Sequence, residues 1–208
     1  MFTGKSIWDI LQMGDYTMTV LVLCSLTSLT FIFERGFHFR SKTRIKRTAF
    51  MEKIKSYIVN NSIQGAIAYS GTVISPLAKV VLAGLMLAGK TEEKITSAME
   101  RQISIEVKEL ESNTGILGSI GSTVVYVGLF GTVVGIIKAF GDIAQAAGSG
   151  TGISGIVSGI AEALITTASG IAVAVPTVIA YNTYMNKIDV ISSDMDLCAS
   201  ETLDLLRN

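Results

Sequence analysis

Two apolar stretches dominate the second half of the chain: GLFGTVVGIIKAF (128–140) and GIAEALITTASGIAVAVPTVIAYN (159–182). A Gly-rich segment separates them, and each stretch belongs to a longer run with very few charged residues. A helix needs about 20 predominantly apolar residues to cross the hydrocarbon core of a bilayer. The pattern therefore predicts a transmembrane helical hairpin, with spans over 115–141 and 157–186 and a loop over 142–156.

A third uncharged run, 16–33, predicts another span over 16–34 that ends at Glu34 and Arg35. Only 16% of the 208 residues are charged and 49% are hydrophobic, whereas soluble domains carry about 25% charged residues. We therefore expect an all-α membrane protein with three transmembrane helices and long cytoplasmic helical extensions.

Positive charge is concentrated in the segment that follows the first span. Residues 35–55 contain eight Lys and Arg residues against one acid, whereas 139–161 contain no Lys or Arg. Because basic residues stay on the cytoplasmic side of an inserted protein, residues 35–114 and 187–208 are expected in the cytoplasm. The N-terminal segment 1–15, which is apolar enough to lie at the membrane interface, and the loop over 142–156 are expected in the periplasm.

Several helices are expected in the cytoplasmic region. Residues 45–59 and 62–70 predict short amphipathic helices. The segment 76–89 is apolar, but only ten uncharged residues separate Lys79 from Lys90. Ten residues are too few to span a bilayer, so this segment predicts a buried helix in a cytoplasmic bundle.

A longer helix is expected after Thr91, which resembles an N-cap and precedes Glu92 and Glu93 in the first turn. Nothing in the pattern ends this helix before Gly115, so one helix over 91–140 is expected to run into the second span. Its apolar face has helical spacing and consists of Ile95, Met99, Ile103, Val107 and Leu110.

The tail 187–208 predicts a cytoplasmic helix with five acids against Lys187 and Arg207. Its acidic face is expected to pair with the basic segment 35–55. Within the spans, small residues predict close helix packing, because lipid supplies little hydrophobic drive for helix association. The glycines expected at these packing faces are Gly128, Gly131, Gly135, Gly155, Gly159 and Gly170.

Glu162 is the one acid inside the apolar part of the hairpin. A charge at membrane depth costs several kcal/mol, so such a residue faces a bundle interior, a cavity or a partner. If the turn is centred near Gly150, then Lys138 and Glu162 are each 12 residues from it, which predicts an ion pair at the outer rim. Two interpretations stay open: Glu162 belongs to an ion or proton path, or it is a structural anchor.

The same arithmetic places Thr132 and Thr167 at one level, deeper in the bilayer. Two hydroxyls at one level on adjoining helices can hold water or bind the carboxyl group of a partner. Alternatively, each hydroxyl bonds only the backbone carbonyl one turn back on its own helix. The sequence leaves both interpretations open.

Other kinds of site find little support. The 17 basic residues equal the 17 acidic ones in number, which argues against a nucleic-acid partner. Cys24 and Cys198 offer no metal-ligand spacing, and GLFGTVVG lacks the lysine of a phosphate-binding loop. No nucleophile, base and orienting group converge, so we expect no enzyme, no metal and no cofactor.

The two quoted stretches resemble the second and third spans of the ExbB/TolQ/MotA proton-channel family, closest to its ExbB and TolQ branch. PLAKVVLAGL (76–85) and the Glu34-Arg35 end of the first span extend the resemblance over nearly the whole chain. The resemblance implies a homopentameric ring around a pore that holds an ExbD/TolR-type single-span partner with a membrane aspartate. It also implies that Glu162 matches the family's conserved glutamate, and that Thr132 and Thr167 match its pore threonines.

From this resemblance we expect an inner-membrane stator subunit that conducts H+. Such a subunit converts proton-motive force into mechanical work through a TonB/TolA-type periplasm-spanning protein. The alternatives are a stator for gliding and a non-conducting membrane scaffold. Two positions depart from the family pattern: Val124-Val125 stand where Ala-Pro is usual, and Lys138 stands at a usually neutral position.

Overall fold

The computed structural model describes residues 16–42, 46–146 and 152–207. These residues form seven α-helices and no strand, so the expected all-α architecture is confirmed for the described part of the chain. In chain order the helices are α1 (Tyr16–Lys42), α2 (Arg47–Val59), α3 (Ile63–Thr72), α4 (Pro76–Leu85), α5 (Glu92–Glu111), α6 (Thr114–Ala146) and α7 (Gly152–Arg207). The predicted interfacial segment 1–15 lies outside the described residues.

Three of the described helices are long and apolar enough to cross a membrane: α1, α6 and α7. They contain the three predicted spans, while α4 is apolar but has only 10 residues. The predicted loop over 142–156 is shorter than expected, because α6 continues to Ala146 and α7 already begins at Gly152. Glycine is common in membrane helices, so the Gly-rich composition led to a predicted loop that is too long. Residues 147–151 lie outside the described part.

The predicted tail is a continuation of the third span, because α7 is one helix of 56 residues. At 1.5 Å per residue it is about 84 Å long, far more than the roughly 30 Å of the hydrocarbon core. Its buried positions are three, four or seven residues apart, and six of them repeat every seven residues, as along a coiled-coil seam. They are Ala163, Thr166, Gly170, Ala174, Thr177, Tyr184, Ile188, Ile191, Met195, Cys198 and Thr202.

The expected continuous helix over 91–140 is wrong, since α5 ends at Glu111 and α6 begins at Thr114. Ser112 leaves the helical conformation with a ψ of 137°, and Asn113 has a φ of 61°. Asparagine enters this left-handed region more easily than most residues, and one such residue ends a helix as glycine does. Residues 112 and 113 are neither glycine nor proline, the residues that most often mark the end of a helix, so the sequence did not predict this break.

The chain forms two compact units. The span unit holds the described residues up to Phe33 together with Gly115–Asn182, and the extension unit holds Glu34–Thr114 and the residues from Thr183 onward. The core of the span unit brings all three spans together, with Met18 and Leu21 of α1 packed among Val124 of α6 and Ala174 of α7.

In the extension unit, α2 and α3 correspond to the two predicted short helices. The predicted buried helix is α4, whose Val80 and Val81 are fully buried. It packs on α5 so closely that a Cβ on Gly84 would lie 2.6 Å from Met99 Sδ. Thr91 occupies the N-cap position of α5, although its side chain makes no capping hydrogen bond.

The buried face of α5 differs from the predicted stripe. Ile95, Met99 and Leu110 are buried as expected, whereas Ile103 and Val107 are only half-buried. The fourth buried residue is the acid Glu106, which is 1% exposed. Its carboxylate accepts hydrogen bonds from Lys79 Nζ at 2.9 and 3.0 Å and from Gln102 Nε2 at 2.8 Å. These partners compensate the burial of the charge. A prediction from the spacing of apolar residues cannot identify such a buried acid.

Among the described residues of the basic segment, Arg47 makes the predicted contact with the acidic tail. Its Nε lies 3.4 Å from an Asp194 carboxylate oxygen, and its Nη1 donates a hydrogen bond to Glu201. Arg47 is the first residue of α2, while both acids lie on α7. The contact therefore ties α2 to the last turns of α7 within the extension unit.

Candidate ion-pathway site in the span unit

The hydroxyl groups of Thr132 and Thr167 lie together between α6 and α7. Their oxygens are 3.4 Å apart, and both side chains are half-buried. The structure thus brings to one level the two threonines that the loop arithmetic places there. It joins Leu129, Thr132 and Thr167 into one small hydroxyl and carbonyl cluster, because Thr132 Oγ1 also donates to the Leu129 carbonyl at 2.6 Å.

The two hydroxyls differ in their hydrogen bonding. Thr132 donates a hydrogen bond to a backbone carbonyl of its own helix, which is the second of the two predicted alternatives. Thr167 Oγ1 instead lies 3.0 Å from the Gly128 carbonyl, across the helix interface. A hydroxyl has one hydrogen to donate and two lone pairs that accept. The single hydrogen of Thr167 can be donated to the Gly128 carbonyl at 3.0 Å or to Thr132 Oγ1 at 3.4 Å, and the carbonyl is the nearer acceptor. When both threonines donate to backbone carbonyls, the two hydroxyl oxygens are left as acceptors. Such a pair suits a protonated donor, for example the O–H of a neutral carboxyl group.

Two glycines make the contact between Thr167 and Gly128 possible. A Cβ on Gly128 would lie 3.2 Å from the Thr166 carbonyl oxygen and 3.3 Å from Thr167 Cα. A Cβ on Gly170 would likewise lie 3.2 Å from the Val124 carbonyl oxygen. These neighbours are backbone atoms, which cannot rotate away as a side chain can. The helices therefore approach to backbone contact only because both positions lack a side chain.

The same close approach continues toward the loop. A Cβ on Gly135 would lie 2.8 Å from Ala163 Cβ, and one on Gly159 would lie 2.8 Å from Ala139 Cβ. Gly131 is equally tight, against Thr166 and Thr17. Gly155 differs from the prediction, since a Cβ there meets no described atom within 4 Å. It lies one turn closer to the loop than Gly159, beyond the last tight contact with α6.

A polar cavity of about 160 Å³ lies on the loop side of the threonine pair. One water requires only about 10–15 Å³ on the same measure, so the cavity has room for several. All three spans contribute to its lining, which consists of Thr17, Gly131, Gly135, Lys138, Ala139, Gly159, Glu162, Ala163 and Thr166. Charged and hydroxyl groups give such waters the polar partners that they need.

Lys138 and Glu162 both line this cavity, with Lys138 exposed and Glu162 half-buried. The structure thus brings the predicted rim residues to one place, and their ion pair stays a prediction. Glu162 precedes Thr167 by five residues, which is about 7.5 Å along a helix. The cavity and the threonine pair are therefore neighbouring levels of the same hairpin.

The sequence did not single out Thr17 and Thr166 as members of the site. Thr166 is buried in the seam of α7 and donates its hydroxyl hydrogen to the Glu162 carbonyl at 3.1 Å. Thr17 is buried and lies next to Gly131, where a Cβ would be 3.1 Å from Thr17 Oγ1. The heptad spacing of Ala163, Thr166 and Gly170 is the signal that places Thr166 on the packing face. No comparable signal exists for Thr17, because it depends on how α1 packs against the hairpin.

Comparison with known proteins agrees with this arrangement of spans. Residues 72–197 match the model of a family described as the MotA/TolQ/ExbB proton channel family. The chain is 30% identical to the biopolymer transport protein ExbB of Pseudomonas putida over 191 residues, which are 87% of this chain and 57% of that protein. This chain thus spans little more than half the length of that relative.

Two further relatives match over most of both chains. The Tol-Pal system protein TolQ of Pseudomonas aeruginosa is 30% identical over 201 residues, 89% of this chain and 86% of that protein. The biopolymer transport protein ExbB of Salmonella typhimurium is 27% identical over 214 residues, 98% of this chain and 87% of that protein.

Proposed function

This chain belongs to the MotA/TolQ/ExbB proton channel family, and on that premise we propose that it is a proton-conducting stator subunit of the bacterial inner membrane. The N-terminus lies in the periplasm and the C-terminus in the cytoplasm, as the positive-inside rule requires for the basic segment 35–55. The subunit assembles as a homopentamer whose hairpins surround the pore.

The observation that carries the proposal is the pair of hydroxyl oxygens at Thr132 and Thr167. The nearest acceptor of each hydroxyl hydrogen is a backbone carbonyl, so both oxygens keep acceptor lone pairs at a level inside the hairpin. A carboxyl group that moves through the pore in its neutral form donates one O–H bond and finds its acceptor here. The threonines stabilise the protonated form of that carboxyl group and do not themselves carry charge.

The carboxyl group comes from a partner, since Glu162 is the one acid inside the apolar part of this hairpin. An ExbD/TolR-type single-span protein with a membrane aspartate supplies it. The relatives named ExbB and TolQ favour an energising role toward the outer membrane. Motion of the partner is passed to a TonB/TolA-type periplasm-spanning protein, which drives either outer-membrane transport or a Tol-type envelope function.

The polar cavity serves as the outer entrance to this pathway. Its volume, which has room for several waters, and its lining by Lys138 and Glu162 support access for protons from the loop side. An ionisable residue at membrane depth is typical of ion and proton routes. Glu162 thus acts at the outer mouth, about 7.5 Å from the level of Thr167, and the threonine pair acts at the deeper level.

The test is Thr167→Val, which keeps the branched shape and removes the hydroxyl. A host that lacks this gene is complemented with the variant, and two quantities are measured: energised uptake or envelope integrity, and co-purification of the partner subunit. We expect function to be lost and assembly to be retained. Thr167→Ser, which keeps the hydroxyl, should retain function.

Thr177→Val is the matched control. Thr177 is buried on the same helix, and its hydroxyl bonds only the Val173 carbonyl one turn back, at 2.7 Å. This variant loses a local bond but no acceptor toward the pore, so function should persist. Unchanged function in Thr167→Val would remove the threonine pair from the pathway. Glu162→Ala distinguishes a motor from a scaffold without ion flow. In a scaffold, this variant either impairs assembly or has no effect. In a motor, it impairs function while assembly is retained.

A further inference from the structure

A groove of about 630 Å³ on the extension unit combines two cations with an apolar floor. It lies between the C-terminal turns of α1 and the middle of α7. Phe39, Val190 and Ile191 form the floor, while Arg40, Lys187 and Asn186 supply polar groups at its edge. Phe39 and Ile191 are buried, whereas the three polar side chains are exposed. The groove is thus open to an amphiphilic ligand.

The two cations of the groove are not neutralised within the described part of the chain. Neither Arg40 nor Lys187 forms an ion pair with a described carboxylate, although Lys187 Nζ lies 5.9 Å from the centroid of the Tyr184 ring. Asp189, the nearest acid on α7, is not among the lining residues. An apolar floor lowers the local dielectric, so an anion between the two cations is held more strongly than on an open surface.

Both cations stand where a span ends. Lys187 is the first charged residue after the uncharged run 163–186, and Arg40 is the first exposed cation after the uncharged run 16–33, since Arg35 is buried. Phe37 is 72% exposed and lies three residues before Arg40, on the same face of α1. An apolar ring on the membrane side of two cations is the arrangement expected at the level of lipid headgroups.

We propose that this groove binds an anionic phospholipid of the leaflet that faces the basic segment. The phosphate lies between Arg40 and Lys187 and accepts a hydrogen bond from the Asn186 amide. The glycerol and the first acyl carbons pass Phe37 toward the bilayer. Basic pockets at the cytoplasmic ends of transmembrane helices bind anionic headgroups in this way. The site is independent of proton conduction.

The experiment uses the purified full chain in mixed micelles of phosphatidylglycerol and phosphatidylcholine with identical acyl chains. Native mass spectrometry gives the ratio of the two bound lipids. The double variant Arg40→Gln/Lys187→Gln should lower the preference for phosphatidylglycerol by about thirtyfold, since each cation near an anionic surface is worth about a factor of five. The control Lys90→Gln/Lys108→Gln removes two exposed cations that do not line the groove, and it should keep the preference.

Three outcomes would overturn the site. The first is an equal preference in the groove variant and in the control, when both keep the helical content and apparent Tm of the parent chain. The second is displacement of the lipid by millimolar inorganic phosphate, which would show a site for the free ion. The third is a change of oligomeric mass in the groove variant with no change of bound lipid, which would assign the groove to contact between copies of the chain.

Discussion

Gly170 faces Gly128 so closely that a Cβ atom on Gly170 would lie 3.1 Å from the Gly128 Cα. This backbone contact sets the distance between α6 and α7 at the level of the threonine pair. The hydrogen bond from Thr167 to the Gly128 carbonyl depends on that distance. Packing and the proposed chemistry therefore share the same two glycines.

Gly170→Ala should separate the two helices and weaken both packing and the Thr167 bond. Overpacking of this kind typically costs about 1–3 kcal/mol, so we expect a lower apparent Tm of the purified protein and reduced energised function. Gly155→Ala is the control, because a Cβ at Gly155 meets no described atom within 4 Å. Equal Tm values for the two alanine variants would contradict the backbone contact.

Lys79→Met should destabilise the extension unit. The variant leaves the buried Glu106 carboxylate with Gln102 as its remaining described hydrogen-bond partner. Removing a hydrogen-bond partner from a buried polar group lowers the free energy of unfolding by about 1–3 kcal/mol. We expect a loss in the lower half of this range, because Lys79 is itself half-exposed. Thermal or urea unfolding measures the loss. Lys108→Met makes the same charge change at an exposed position of α5, and it should unfold like the parent chain. An equal loss of stability in both variants would contradict the role of the pair formed by Lys79 and Glu106.

The same pair predicts a dependence of stability on alkaline pH. The hydrogen bond to Glu106 is the main cause that raises the pKa of Lys79 above its usual 10.5, with burial opposing it. Because the pKa is higher in the folded state, the stabilisation is fully present below the unfolded value and is lost as the pH rises through the folded value. The Tm difference between the parent chain and Lys79→Met should thus be constant from pH 7 to 10 and shrink above 10.5. A difference that persists at higher pH would contradict this assignment.

The thiol of Cys198 should be strongly protected from alkylation. It is fully buried in the seam of α7, and burial, with a smaller contribution from the Glu201 carboxylate, raises its pKa from 9.0 to about 12. Three pKa units lower the thiolate fraction near pH 8 about a thousandfold, and the thiolate is the reactive species. In a Cys24→Ser background, iodoacetamide should react at Cys198 at least that much more slowly in the folded chain than in urea. Equal rates would show that the seam is open at this position.

Periodicity and charge were sufficient to predict the parts of the fold that depend on local pattern. Three uncharged runs identified α1, α6 and α7, and the excess of tail acids predicted the contact that Arg47 makes with Asp194 and Glu201. Counting from the loop also placed Thr132 with Thr167, because two helices of a hairpin rise at the same rate per residue.

The features that sequence missed depend on tertiary packing or on a single residue. Asn113 breaks the helix before the second span through a left-handed backbone, which asparagine adopts only where its surroundings favour it. Glu106 occupies a core position because Lys79 comes from another helix to pair with it. Thr17 joins the cavity because α1 packs on the hairpin. Each of these depends on a contact or a conformation that no local pattern records.

Exchange of the two charges that line the cavity separates the two interpretations of Glu162. Glu162→Lys or Lys138→Glu alone places two like charges in one small cavity, and like charges at close range in a membrane are costly. Each single variant should therefore lose assembly or stability. Lys138→Glu/Glu162→Lys restores opposite charges, so it should recover co-purification of the partner. If Glu162 acts only as an anchor, the exchange also recovers energised function. If Glu162 is part of the pathway, function stays low, because the carboxylate now projects from α6. We expect this second outcome. Full recovery of function would remove Glu162 from the pathway.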